Sequence, residues 1–402
     1  FEIPLRSLYS KKIKNLLFAG EHASATSRGS ASFSHPPTSA QMGEAVGICA
    51  SLCILQKRLP RTLSKPGNVE ILRRMLNKLN HTCSLSSVED PDNLVIDTKV
   101  IASTTIESFF REKEILKESS HLKNKGLIQF PVVTDSINEI YLYFEVLESC
   151  TIELRLLENS SGVSTIPGNC LSVIVKDLEK GGPRWEKIPI NMKVNKLGWH
   201  FVEFDLNERI ILYEQPNASV GMLSYTAINR NSGGLLNPYS EYFPALSPTP
   251  SLSSVLAFNI TPKQPVYEAE NVINAFSRPS LMPNLWISEE TDFQYPEYLE
   301  FHWPSPVDLT SIEIVWDPTL EFLFPSRPQI FTSAVSPSIV KDYKVYFMNN
   351  VGHWEMLLEV VGNKFGFSRH HFENVRTKAV EIEIISTHGL NRAQVYQVRA
   401  YS

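Results

Sequence analysis

Beyond about residue 100, apolar residues stop recurring at helical spacing and recur at every second position instead, and the chain keeps that period to its C-terminus. A period of two forces successive side chains to opposite faces, so such a stretch buries its apolar half only as strands packed in sheets. Residues 141–146 and 151–156 alternate in this way on either side of a turn at 147–150, and 171–175, 187–190 and 199–206 continue the pattern. Gly181-Gly182-Pro183 and residues 195–198 punctuate it. Many short strands separated by turn residues predict a β-sandwich. A Pro/Ser-rich run at 244–251 marks a connection, after which 298–303, 309–316, 343–346 and 380–384 read as the strands of a second β unit. With 402 residues, the chain has room for three domains, predicted at 1–95, 96–260 and 261–402.

The first segment is different in kind. Residues 16–19 form a short apolar run of the sort that makes a buried parallel strand, Gly20 ends it, and Glu21 follows at its carboxyl end. Pro36 and Pro37 then precede Thr38-Ser39-Ala40-Gln41, a Thr-x-x-Gln capping box that predicts a helix from Thr38 to near Pro60. The start of that helix would offer free N–H groups and a positive dipole end. Gly43 and Gly47 lie on one of its faces and would admit a close backbone neighbour. A second helix is predicted at 69–79, capped by Asn68, with Ile71, Leu72, Met75, Leu76 and Leu79 as its apolar stripe.

These motifs carry a resemblance. Ile3-Pro4-Leu5-Arg6-Ser7-Leu8, Asn15-Leu16-Leu17-Phe18-Ala19-Gly20-Glu21, Ser24-Ala25-Thr26 and Pro37-Thr38 through Met42-Gly43, Ala45-Val46-Gly47 resemble, in order and spacing, the C-terminal end of FAD-dependent oxidoreductases of the heterodisulfide-reductase-A-like group. The resemblance implies a partial FAD-binding α/β segment, so that the fold class is α+β multidomain, with two antiparallel, jelly-roll-like β-sandwiches after it. It implies hydride transfer through flavin to or from a small-molecule substrate. The cofactor-binding residues it implies are Gly20, Glu21, Thr38, Ser39, Gln41, Met42 and Gly43, with Glu21 accepting from ribityl hydroxyls. His22 and His35 are the histidines near that site and are the candidates for moving a proton. Where the family carries a Gly-Ser-x-Arg element, this chain has Ala31-Ser32-Phe33-Ser34, so Arg28 is the nearby cation that could replace the arginine. The G-x-G-x-x-G that holds the FAD pyrophosphate is absent. With Phe1 in place of Met, the segment is expected to be the C-terminal part of a longer oxidoreductase, inactive alone and needing the missing N-terminal part for FAD.

Residues 265–402, with Asn284-Leu285-Trp286-Ile287-Ser288 near their start, resemble a discoidin, or coagulation-factor type C, domain. A competing reading is a non-catalytic protein whose sandwiches bind carbohydrate or another partner, the N-terminal segment being vestigial. The six tryptophans could stack on sugars, but most sit in apolar alternation that predicts core filling, and Trp185 and Tyr295, in turn-like polar contexts, are the better candidates for exposure. The net charge of -5 is mild and no basic, aromatic-interleaved run points to nucleic acid. The apolar run at 45–55 is too short to span a bilayer, so no membrane partner is predicted. Five cysteines, Cys49, Cys53, Cys83, Cys150 and Cys170, make neither a disulfide framework nor a four-cysteine iron–sulfur ligand set. Cys49 and Cys53 are predicted to pack in the helix. His370 and His371, adjacent on a strand, point to opposite faces, and no metal site is predicted.

Overall fold

A computed structural model of the chain describes residues 3–33, 35–81, 90–107, 109, 117–118, 125–160, 167–205, 207–215, 219–227, 242–244, 255–291, 293–294, 296–319 and 335–402. Ser34, Cys83, Tyr295 and the Pro/Ser-rich residues 245–251 lie outside the described residues. The chain divides into two compact units, Phe1–Asn93 with Ala275–Arg278, and Leu94–Asn274 with Pro279–Ser402.

The first unit is helical. Residues 16–19 do not form a parallel strand: Leu17 makes an isolated antiparallel bridge with Tyr9, with Ser10 N donating to Leu16 O at 2.9 Å and Phe18 N to Leu8 O at 2.8 Å. A short apolar run needs a neighbouring strand to satisfy its backbone, and the neighbour present here is the preceding turn. The main helix runs Pro36–Leu55, two residues earlier than the capping-box pattern indicates. His35 is the N-cap and makes no side-chain cap, while Pro36 and Pro37 occupy the first turn. Proline fits there because its φ is already helical and its missing N–H has no intrahelical acceptor to lose. Thr38 is therefore an in-helix residue. The helix stops short of Pro60 because Lys57 takes φ 51°, and Arg58 N closes it by donating to Cys53 O at 2.9 Å. The next helices are Pro60–Leu63 and Asn68–Lys78. Gly67, at φ 81°, is the N-cap of the last, and Asn68 instead donates to Thr62 O and accepts from Arg58. Leu72 and Leu76 are buried with Met42, Cys49, Leu52 and Leu63, whereas Ile71 and Leu79 are exposed.

Helix Pro36–Leu55 is long and apolar enough to cross a membrane by length and composition, although the apolar run at 45–55 alone is too short, and only 17% of its most apolar window is buried. A Cβ at Gly43 or Gly47 would meet nothing within 4 Å, so the glycine face meets no close backbone neighbour among the described residues.

Among the described residues, every strand pairing in the second unit is antiparallel, with short helical turns at Leu94–Asp97 and Ala269–Ile273. One sheet runs in the order Tyr242–Pro244, Leu223–Ala227, Lys125–Val132, Gly198–Asp205, Cys150–Asn159, Pro167–Leu178. Its companion runs Val255–Leu256, Ile210–Gln215, Ser136–Val146, Phe258–Thr261, with Lys117–Glu118 beside the second and Gly181–Lys193 beside the third of these. Ile128, Phe130, Leu154 and Phe204 from the first sheet and Ile140, Leu142, Phe144 and Phe258 from the second fill one core. Gly181-Gly182-Pro183 begins a strand and does not interrupt one, which an edge position tolerates because proline there gives up no ladder bond.

The third sheet is ordered Trp286–Ile287, Gln394–Tyr401, Glu297–Trp316, Phe367–Thr387, Val340–Met348, Trp354–Val360. Residues 298–303 and 309–316, predicted as two strands, form one of 20 residues. It passes through Pro304 and Pro306 by a register shift between His302 and Val307. Lys99–Ala102 also pairs with it. Leu285, Ile287, Val315 and Tyr396, from this sheet and the loop before it, belong to the sandwich core. We propose the finer division into 96–260 and 261–402 within this unit. Residues 265–402 expressed alone should keep a β-type spectrum yet bind a hydrophobic dye, because those four side chains lose their cover; residues 94–402 should melt in one transition without binding it.

Gly221 has φ +90°, and a Cβ on it would lie 2.6 Å from the Trp199 ring. That ring cannot give way, since Trp199 is 2% exposed and its Nε1 donates to Ser280 O at 2.7 Å. Gly221→Ala is therefore expected to cost about 1–3 kcal/mol, read as a lowered thermal midpoint.

Candidate functional site

In the first unit the turn Gly20–His22 and the start of helix Pro36–Leu55 come together. Gly20 has φ +64°, the left-handed conformation glycine adopts most cheaply, and its carbonyl accepts from Ala23 N at 3.1 Å. A Cβ on Gly20 would stand 3.4 Å from Ser39 Oγ, so the glycine turn lies directly against the helix start. Ser39 Oγ donates to Phe33 O at 2.6 Å, which fastens the end of helix Ser27–Phe33 to the same helix start.

The predicted residues divide by exposure. Glu21, His22, His35, Gln41 and Gly43 are exposed, and Thr38 and Ser39 are half-buried. Met42 is 3% exposed and belongs to the unit's core, so a ligand at this surface would meet its backbone and not its side chain. Of the first-turn residues, Pro36 and Pro37 have no N–H, and Ser39 N is bonded to His35 O at 3.0 Å. This leaves the Thr38 N–H as the first-turn donor, a smaller set than a proline-free helix start would present. The polar groups offered are the Glu21 carboxylate as an acceptor, the Thr38 hydroxyl, the Gln41 amide and the positive end of a 20-residue helix. They suit a neutral polyol chain and an electron-rich ring edge, and so they fit a flavin. Arg28 lies in the helix Ser27–Phe33.

Cys49 is fully buried, and burial with the neighbouring Cys53 pushes its thiol up to about 12. A thiol held neutral in this way is a packing residue, as predicted from its place in the helix. Among the described residues no group of three or more His, Cys, Asp or Glu side chains is arranged to hold a metal. His370 Nε2 pairs with Tyr343 Oη at 2.8 Å, and His371 is exposed. Trp199, Trp286, Trp303 and Trp316 are buried, each with its indole N–H donated within the fold. Trp185 and Trp354 are half-buried, Trp185 packing edge-on against Tyr143 at 5.4 Å.

Two features of the β unit were not legible in the sequence. An open groove of about 760 Å3 is lined by Glu148, Glu153, Asp205, Glu208 and Arg209 among others. On the third sheet, Glu300 and Glu381 are directly opposite across two strands, with Tyr346 opposite Glu381 on the other side. Burial and the carboxylates of Glu300 and Glu383 push Glu381 up to about 7. Tyr346 Oη donates to Glu383 at 3.1 Å, and burial with that bond raises the phenol to about 12. Spacing along each strand shows which face a glutamate takes; only the register shows which glutamates meet.

Comparison with known proteins gives one family and a set of structures. The family model described as FAD dependent oxidoreductase matches residues 1–76. Comparison with curated protein sequences gives no match. Among solved structures, a family 32 carbohydrate-binding module from Streptococcus pneumoniae EndoD is 14% identical, aligned over 35% of this chain and 88% of that one, with a TM-score of 0.28. The family 32 module of NanJ from C. perfringens, solved with galactose, is 15% identical over 35% and 90% at a TM-score of 0.26. Chitosan-binding module 1 of a chitosanase/glucanase from Paenibacillus sp. IK-5 is 12% identical over 34% and 87% at 0.27.

A glutamate whose folded value is raised to about 7 from an ordinary 4.5 favours the fold in its protonated form. That contribution is complete below about pH 4.5 and is lost as the pH rises through about 7. Glu381→Gln should therefore flatten the decline in thermal midpoint across that window, measured by calorimetry at a series of pH values. A variant that retains the full decline would show that Glu381 is not its source.

Proposed function

We propose that the N-terminal unit forms one wall of the cofactor site of an FAD-dependent oxidoreductase acting on a small-molecule substrate, with the β modules as accessory parts. The observation that carries this reading is the match of residues 1–76 to the FAD-dependent oxidoreductase model. FAD, when bound, supplies the hydride chemistry, and the residues of this chain bind and orient it. Glu21 accepts hydrogen bonds from ribityl hydroxyls. The Thr38 N–H and the positive end of the helix face the electron-rich edge of the flavin ring, and Gly20 keeps the approach clear because a side chain there would project towards Ser39. His22 or His35, both exposed beside this surface, holds or receives the proton that accompanies hydride transfer. For the carbohydrate-binding alternative, four of the six tryptophans are buried, which leaves Trp185 and Trp354, both half-buried.

The absence of G-x-G-x-x-G means that this chain has no pyrophosphate cradle of that type. Purified without added flavin, it should be colourless. Titrated with riboflavin and with FAD, it should quench the fluorescence of both with similar affinity, because the adenosine diphosphate half finds no extra contact. Glu21→Ala should weaken both by about tenfold, the loss of a charge-assisted hydrogen bond. No quenching by either flavin, or binding indifferent to Glu21, would remove these residues from the cofactor site.

A further inference from the structure

Pro167–Leu178 is the last strand of its sheet, and among the described residues its strand partner is Cys150–Asn159 on one side only. Its other edge presents backbone donors and acceptors with no ladder. Proteins usually blunt such an edge with proline, charge or shortness. Three other edge strands do so: Gly181–Lys193 carries Pro183, Pro189, Arg184, Glu186 and Lys187, Trp354–Val360 carries Glu355 and Glu359, and Tyr242–Pro244 has 3 residues. Pro167–Leu178 is 12 residues long, with proline at its first position only and its two charges, Lys176 and Asp177, confined to the last three residues, where they pair with Glu186 and Thr151 of the same chain. Its solvent face carries Leu171, Val173 and Val175, which are 39%, 55% and 64% exposed. The stretch from Leu171 to Val175 has neither proline nor charge, and its three outward aliphatic side chains form a pairing surface.

We propose that this edge pairs antiparallel with the same strand of a second copy of the chain, about a two-fold axis at Val173. The sequence of the strand selects both the occupant and the register. With the axis at Val173, Leu171 faces Val175 of the other copy and Val173 faces itself, so every exposed apolar residue on the strand is matched. Asp177 faces Asn169 and Lys176 faces Cys170, so no like charges meet. Moving the axis to Ile174 would set Leu171 against Asp177, and moving it to Ser172 would set Val175 against Asn169. A strand complementary to itself in one register fits a second copy, which brings that strand in that orientation by symmetry. On the same face, Arg155, directly opposite Val173 on the adjoining strand, pairs with Glu153 and Glu203 at 2.6 and 2.7 Å. The dimer would join two six-stranded sheets into one.

Sedimentation of the chain over a range of concentrations tests this. A reversible dimer is expected. Val173→Lys, which sets two ammonium groups opposite each other at the axis, should raise its dissociation constant by about tenfold or more. Val173 is exposed but faces Arg155 across the adjoining strand, so the variant's thermal midpoint, compared at concentrations where the parent is monomeric, should fall by no more than an exposed like-charge pair costs. In a Cys170→Ser background, Val173→Cys should form a covalent dimer on mild oxidation, because antiparallel neighbours at the axis fall within disulfide reach. Val351→Cys, 75% exposed on the turn between Val340–Met348 and Trp354–Val360, should not. A chain that is monomeric at every concentration, a dimer indifferent to Val173→Lys, or a Val173→Cys variant that does not cross-link would each overturn the proposal.

Discussion

Strands Glu297–Trp316 and Phe367–Thr387 pair antiparallel over most of their length, and the larger unit is organised around that pairing. Ladder bonds of this extent leave little backbone unsatisfied, so the pair can bend at its register shifts without exposing polar groups. One end of the first strand packs Trp316 against Tyr343 inside the third sheet, with ring centres 4.8 Å apart. The neighbouring residue Val315 points the other way and joins the sandwich core. The alternation of a single strand thus serves two cores. Lys99–Ala102, far away in sequence, is held on the same strand.

The β character of the unit was legible because a period of two survives any uncertainty about where strands begin. Boundaries were not, and the reason is proline. Pro304 and Pro306 read as the end of a strand, but the ladder absorbs them in a register shift. Pro183 reads as a turn, but sits on an edge where its missing N–H costs nothing. Local signals of this kind are correct about the backbone and silent about the partner strand.

The N-terminal site shows the same division. Gly20 and the helix start are recognisable from residue types alone, and the structure places them in contact through Ser39. The capping box at Thr38 was misread because the two prolines before it are themselves good first-turn residues. That one shift turns Thr38 from a cap into a donor of its N–H. It also leaves fewer free amides at the proposed flavin edge than the motif suggested. Met42 looked like a binding residue from its place in the motif, but its side chain belongs to the core.

The central claim is that the turn Gly20–His22 and the helix start at Pro36 face a flavin ring. Amide chemical shifts recorded while riboflavin is added test it most directly. The account predicts changes concentrated at Gly20, Glu21, His22, Thr38 and Gln41, with the β unit unmoved. Changes confined to the sandwich groove at Glu148 and Glu153, or no changes in the N-terminal unit, would contradict it.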